Sequence, residues 1–284
     1  MVKIVKKTRI VLTFGFLMLA ASFASCYPVK ADSSDLWAVV VGVNGGEATH
    51  LDNDAIDFAN VLTSVYGYPS SNIKLLTNDE ATKASVITAL EWLKNQESEP
   101  SGVSIFLSTH GDYDKLYLYD SILWDYELSD ILADFESKNI LVVINACHSG
   151  SFLNVADTIS SGILITACAA EETTYDIALF ANTLFVEYFV DRGMSQGLAD
   201  ENADGIVTVE EAYRYARNNC LDPPGALQPT HPQMIDNYIG DFNLSEPVHA
   251  PWFTSLPLAL LLTVALLVLL RKKRAQNMKC TKTK

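Results

Sequence analysis

Two short polar stretches in this 284-residue chain carry reactive side chains directly after apolar runs. The run 103–107 (VSIFL) passes into Ser108-Thr109-His110-Gly111-Asp112, and the run 140–144 (ILVVI) into Asn145-Ala146-Cys147-His148-Ser149-Gly150. A thiol is mostly protonated at neutral pH. A neighbouring imidazole takes that proton and later returns it to a leaving amine, so Cys147 and His110 are a candidate nucleophile and its partner. Gly111 and Cys147 could each offer a backbone N–H to a developing oxyanion. Ser149-Gly150 allows a sharp turn just past the nucleophile. His148 adjoins Cys147, but the strand-to-turn path directs it away. Cys168 follows another apolar run without a His-Gly partner and reads as core. His231 and His249 have no partner that the sequence identifies, and no Cys and His spacing suits zinc.

For Cys147 and His110 to meet, the two runs must be neighbouring strands. The stretches 36–43 (LWAVVVGV), 103–107, 140–144 and 162–166 (GILIT) read as strands buried on both faces, with a shorter strand at 73–76. Ile56, Phe58, Ala59, Leu62 and Val65 recur at helical spacing in 54–66. Further helices are expected at 82–93, capped by Thr82, and at 127–135, 180–190 and 210–219. Strands alternating with helices predict an α/β fold with a mainly parallel central sheet, whose sites gather past the carboxyl ends of the strands.

An apolar strand ending in His-Gly, followed by one ending in Ala-Cys-His-Ser-Gly, resembles the caspase, metacaspase and legumain group of cysteine peptidases. WAVVVGVNGG (37–46) is similar to the first strand and Asn-Gly turn of the legumain family, and LDNDA (51–55) to the segment opening the first helix in legumains and metacaspases. TACAAEETTY (166–175) and 228–244 resemble a legumain strand and that family's final edge strand. The resemblance covers roughly 36–244 and is nearest the legumain-like family. It implies a caspase-like three-layer sandwich in which Cys147 and His110 cleave peptide bonds through an acyl-enzyme thioester. The sequence departs from legumains at His50 (Thr49 in a shifted register), which replaces a pocket Arg. Asn145 stands for the acid two residues before the nucleophile, and Ala48 for the Asn supporting the histidine. By position, His50, Asn145, Thr173, Thr174 and Tyr175 would line the pocket, and this neutral set suggests a substrate residue without strong charge. A legumain-like transpeptidase and a calcium-dependent surface adhesion module without catalysis stand as alternatives.

Residues 200–211 (DENADGIVTVEE) match the twelve-residue EF-hand loop. Asp200, Asn202 and Asp204 hold positions 1, 3 and 5, Gly205 the turn, and Ile206 the carbonyl position. Thr208 stands at position 9 and Glu211 at the bidentate position 12. One Ca2+ is expected, stapling this segment rather than opening it as a sensor, and the chemistry itself needs no cofactor. The same residues also read as a polar turn capping a helix.

The chain has a formal net charge of −14, but 32–250 holds all 34 acids against 8 bases, a net of −26. Such a surface repels nucleic acid and anionic lipid. The expected partner is a protein or peptide substrate. Residues 1–31 read as a signal peptide, with a basic start, an apolar stretch at 10–24, and cleavage after Ala24 or Ala31. A peptidase domain at 32–246 and a linker at 247–251 precede 252–270, which carries no charge and is long enough to cross about 30 Å of hydrocarbon. The basic tail 271–284 places the C-terminus inside and the catalytic domain outside. The same layout also describes a sorting tail that is cleaved. Of the five cysteines, three (147, 168 and 220) fall in the exported domain, so at least one thiol stays unpaired. Asn243-Leu244-Ser245 is a glycosylation sequon.

Overall fold

The computed structural model describes residues 35–177, 180–223 and 228–245. The signal peptide 1–31, the linker 247–251, the span 252–270 and the tail 271–284 all lie outside the described residues. Among the described residues no helix is long and apolar enough to cross a membrane.

Continuous runs of β-branched and leucine residues build the centre of the domain. The strands are β1 (Leu36–Gly42), β2 (Ile73–Thr77), β3 (Gly102–Ser108), β7 (Asn139–Asn145), β8 (Gly162–Thr166) and β11 (Gln233–Asp236). They form one sheet in the order β11-β8-β7-β3-β1-β2, parallel except for the edge strand β11. Successive side chains of a strand point to opposite faces, and the core divides accordingly. Ala38, Val40, Phe106, Leu141 and Val143 face α1 (Leu51–Ser64), the helical segment 184–195 and α5 (Val209–Leu221). Val39, Val41, Ile105, Leu107, Val142 and Ile144 face α2 (Lys83–Gln96) and α3 (Asp125–Leu132). Helices therefore cover both faces, as the alternation of elements predicts. Thr82 caps α2 by accepting from the Ser85 N–H at 3.2 Å.

Two elements differ from expectation. The first is a small antiparallel sheet of β4 (His110–Asp112), β5 (Lys115–Tyr117) and β6 (Ile122–Trp124), whose strands are too short to show a period. The second lies at 180–190, expected as one helix. There β10 (Asn182–Thr183) pairs with β9 (Asp176–Ile177), helix α4 starts only at Leu184 (Leu184–Val186), and it runs on into a π-helix, Glu187–Ser195. The Thr183 N–H donates to the Asp54 carboxylate at 2.9 Å, which holds that residue in extended backbone and delays the helix.

Phe58 on α1 stacks on Phe106 on β3 at 4.6 Å between ring centres, and both are fully buried. Phe106→Ala removes the larger part of that contact and leaves a cavity against the central strand. The expected loss is about 3–5 kcal/mol, read as a drop in the urea midpoint with an unchanged m-value.

Candidate active site

β3 and β7 are hydrogen-bonded neighbours, and their register sets Ser108 opposite Asn145. His110 and Cys147 each follow two residues later, so both leave the sheet at the same carboxyl edge. The roots of the two loops are tied where the Thr109 N–H donates to the Asn145 carbonyl at 3.1 Å. Gly111 lies against the nucleophile's backbone, since a Cβ there would sit 2.4 Å from the Cys147 carbonyl oxygen. Only glycine fits this approach without displacing the Cys147 loop.

The His110 ring is held by Nε2, which bonds the Gly45 carbonyl at 2.6 Å. That leaves Nδ1 for proton transfer. The Cys147 thiol is partly exposed and donates to the Thr174 carbonyl at 3.9 Å, with no hydrogen bond to His110. Catalytic hydrogen bonds often form fully only once substrate is bound. The Cys147 N–H has no acceptor among the described residues and is available to an oxyanion.

The turn after the nucleophile is made differently from expectation. His148 itself adopts the left-handed region, at φ 58°. Gly150 is needed for close packing instead, because a Cβ there would sit 2.5 Å from the Ala170 nitrogen. His148 does point away from Cys147. Its N–H donates to the Glu172 carbonyl at 2.8 Å, its Nδ1 bonds the Ala170 carbonyl at 2.7 Å, and its ring stacks on Tyr113. His231 does have a partner: Glu172, 2.5 Å from its Nδ1. Cys168 is core, as expected, and Cys147, Cys168 and Cys220 are all free thiols. Burial raises the Cys168 thiol and pushes that of Cys220 up to about 12.

Of the residues expected to line the pocket, Asn145 is fully buried. Its amide donates to Asp54 (2.9 Å), Ser108 (2.8 Å) and Thr183 (3.0 Å), while its Oδ1 has no partner. Asp54 accepts further from the Ser108 hydroxyl at 2.7 Å and the Thr183 N–H at 2.9 Å. His50 pairs through Nδ1 with Asp176, whose other oxygen accepts from the Thr49 N–H at 2.6 Å. An acid of β9, Asp176, therefore ties down the loop around 45–50. Thr174 contributes its carbonyl to Cys147, Thr173 is exposed, and Tyr175 packs partly into the core. Asp54, Ser108, Thr183 and Asp176 were not foreseen as site residues. A signal existed for Asp54, which shares the apolar stripe of α1 with Phe58, Val61 and Leu62 at i+4, i+7 and i+8.

In 200–211 the chain curls around Asp200, whose carboxylate accepts from the N–H groups of Asp204 (3.2 Å) and Gly205 (3.0 Å). Glu211 closes a capping box with Thr208, and among the described residues no three His, Cys, Asp or Glu side chains gather as a metal cluster.

The sequence matches the caspase domain over residues 35–217. Metacaspase-1B of Aspergillus fumigatus is 27% identical over 170 residues, which are 49% of this chain and 42% of that protein. Metacaspase-1 of Saccharomyces cerevisiae is 29% identical over 153 residues, 44% of this chain and 35% of that protein. The chain thus spans less than half the length of these curated relatives. In fold it is similar to caspase-1 from Spodoptera frugiperda, with TM-score 0.54, 11% identity, and coverage of 78% of this chain and 94% of that one. It is also similar to protein GSU0716 from Geobacter sulfurreducens, with TM-score 0.58, 15% identity, and coverage of 76% and 100%. These matches carry the caspase and metacaspase side of the resemblance and add nothing to a special nearness to legumains.

Burial pushes the Asp54 carboxyl up to about 8, against the pull of its hydrogen-bond donors. A carboxyl raised in the folded state keeps its proton there while the unfolded chain loses it. Its stabilising contribution is complete below about pH 4 and is lost as pH rises toward 8, at up to about 1.4 kcal/mol per pH unit. Thermal melting between pH 5 and 8 should show wild type losing stability with a slope that Asp54→Asn lacks. Equal slopes in the two proteins would show that Asp54 does not titrate in this window.

Proposed function

Because the chain belongs to the caspase-domain family, we propose that it is a cysteine endopeptidase in which Cys147 and His110 act as a dyad. The observation that carries this is the β3–β7 register, which delivers the thiol and the imidazole from adjacent strands. His110 Nδ1 takes the thiol proton, and Sγ attacks the peptide carbonyl. The oxyanion is met by the N–H groups of Cys147 and Gly111. As the C–N bond breaks, His110 returns the proton to the leaving amine and a thioester remains. Water then hydrolyses it, with His110 accepting the water's proton and restoring the thiol. An amine in place of water would give the transpeptidase outcome.

Residues 1–31 are proposed to direct export and 252–270 to tether the domain on the outer membrane face. One Ca2+ is proposed at 200–211, held by Asp200, Asn202, Asp204, the Ile206 carbonyl, Thr208 and Glu211. The support is the twelve-position match and the curl of backbone around Asp200. Binding requires Glu211 to leave its capping box and turn toward the aspartates.

A thiol-reactive peptide probe tests the dyad. Cys168 and Cys220 are buried with raised thiol pKa values, so among the three cysteines of the described residues labelling should fall on Cys147 alone. His110→Ala should slow labelling at least a hundredfold, and Cys147→Ala should abolish both labelling and peptide cutting. Rapid labelling of His110→Ala would count against the dyad. A folded protein that neither labels nor cuts would point to the adhesion module.

Calcium is tested by melting. At a hundredfold excess over its Kd the ion should stabilise wild type by about 2.7 kcal/mol, and Asp200→Asn should lose that gain. An unmoved wild-type melting point would leave 200–211 as a helix-capping turn.

A further inference from the structure

The small sheet β4-β5-β6 begins at His110, and its register sorts its side chains cleanly. Opposed residues share a face, so Gly111, Leu116 and Leu123 lie on one side and His110, Asp112, Lys115, Tyr117, Ile122 and Trp124 on the other. Leu116 and Leu123 are fully buried, which turns the second face outward. On it Tyr117 lies directly across from His110, and Ile122 across from Tyr117. The next row runs from Asp112 through Lys115 to Trp124. Tyr117 is 38% exposed and Ile122 and Trp124 are half-buried, so the three side chains form one accessible patch on this face. The one cation on this face is already neutralised: Lys115 pairs with Asp112 at 3.1 Å and lies over the Tyr117 and Trp124 rings at 5.9 and 6.0 Å. In a domain of strong negative charge, this face offers Tyr117, Ile122 and Trp124 beside one internally neutralised ion pair.

We infer that the outer face of β4-β5-β6, through Tyr117, Ile122 and Trp124, binds the part of the substrate beyond the cut bond and selects aromatic or large apolar residues there. This rests on the peptidase reading. The direction follows from the chemistry, since His110 must reach the leaving amine and residues continuing from His110 across the sheet lie along the leaving group. The length fits as well. Neighbouring strands are about 4.8 Å apart, so the row from His110 to Ile122 spans about 10 Å, and an extended peptide covers that with three residues at about 3.3 Å each. In the β4–β5 turn Tyr113 stacks at 4.7 Å on His148, the residue after the nucleophile, which ties this sheet to the Cys147 loop.

The full chain is given a mixed peptide library, and the residues following each cut bond are read by mass spectrometry. Two peptides built on the best-cut sequence are then compared, one with Phe or Leu in the three positions after the bond and one with Gly and Ser there. Wild type should favour the first at least tenfold in kcat/KM, and Tyr117→Ser with Trp124→Ser should bring the ratio within twofold. Tyr119→Ser, at a more exposed ring (58%) outside the strands, should leave the ratio as in wild type. If the double variant does not fold, Tyr117→Ser alone should lower the ratio about threefold. A wild type that cuts without preference after the bond, or variants that keep it, would overturn the inference and leave the peptidase reading standing. A wild type that cuts nothing, with Cys147 unlabelled, would overturn both.

Discussion

Ser108 and Asn145 face each other across the β3–β7 ladder, and a single buried carboxylate, Asp54 of α1, bonds both of them. The arrangement beyond depends on this contact. The strands that end there carry His110 and Cys147 two residues further on, so any slip in register would separate the reactive groups or turn one to the other face. Asp54 also holds the Thr183 N–H. One side chain thus fixes a helix, two central strands and the β9–β10 hairpin at the edge where chemistry is expected.

Burying a carboxyl is costly, and this one is placed among donors that only partly offset the cost. Three groups donate to it, yet burial still raises its pKa to about 8. The Asn145 Oδ1 beside it has no partner among the described residues. An apolar cluster of similar volume would bind the same elements more strongly but would not specify register, because leucine and valine tolerate sliding. Directional bonds between Asp54, Ser108, Asn145 and Thr183 trade stability for a fixed geometry under the dyad, a trade that suits a catalytic edge.

The buried strands were legible because each is a continuous apolar run, and α1 because Phe58, Ala59 and Leu62 recur at helical spacing. His110 and Cys147 were legible because a reactive residue at a strand's carboxyl end is a positional signal in a parallel sheet. The β4-β5-β6 sheet was not, since three-residue strands hold no measurable period. Asp54 lay hidden by its type, because a charged residue on a helix reads as solvent-facing unless its stripe is traced. Asn145 carries the opposite lesson. Its place two residues before Cys147 suggested a pocket wall, whereas strand alternation and the neighbouring α1 draw it inward.

The remaining part of the site was hardest to read because backbone atoms form it. The Gly45 carbonyl orients His110, the Thr174 carbonyl receives the Cys147 thiol, and the Cys147 N–H has no acceptor among the described residues. No side-chain pattern encodes a carbonyl. What the sequence can encode is permission for backbones to approach, and glycine supplies it. Gly111 admits the Cys147 carbonyl, and Gly150 admits the chain at Ala170 that also receives His148. With His148 pinned by that contact, the nucleophile's loop is held from both sides while Cys147 remains partly exposed. Reactivity then follows from accessibility: among the described residues the two other thiols, Cys168 and Cys220, share the cysteine's chemistry, and burial withholds the thiolate from both.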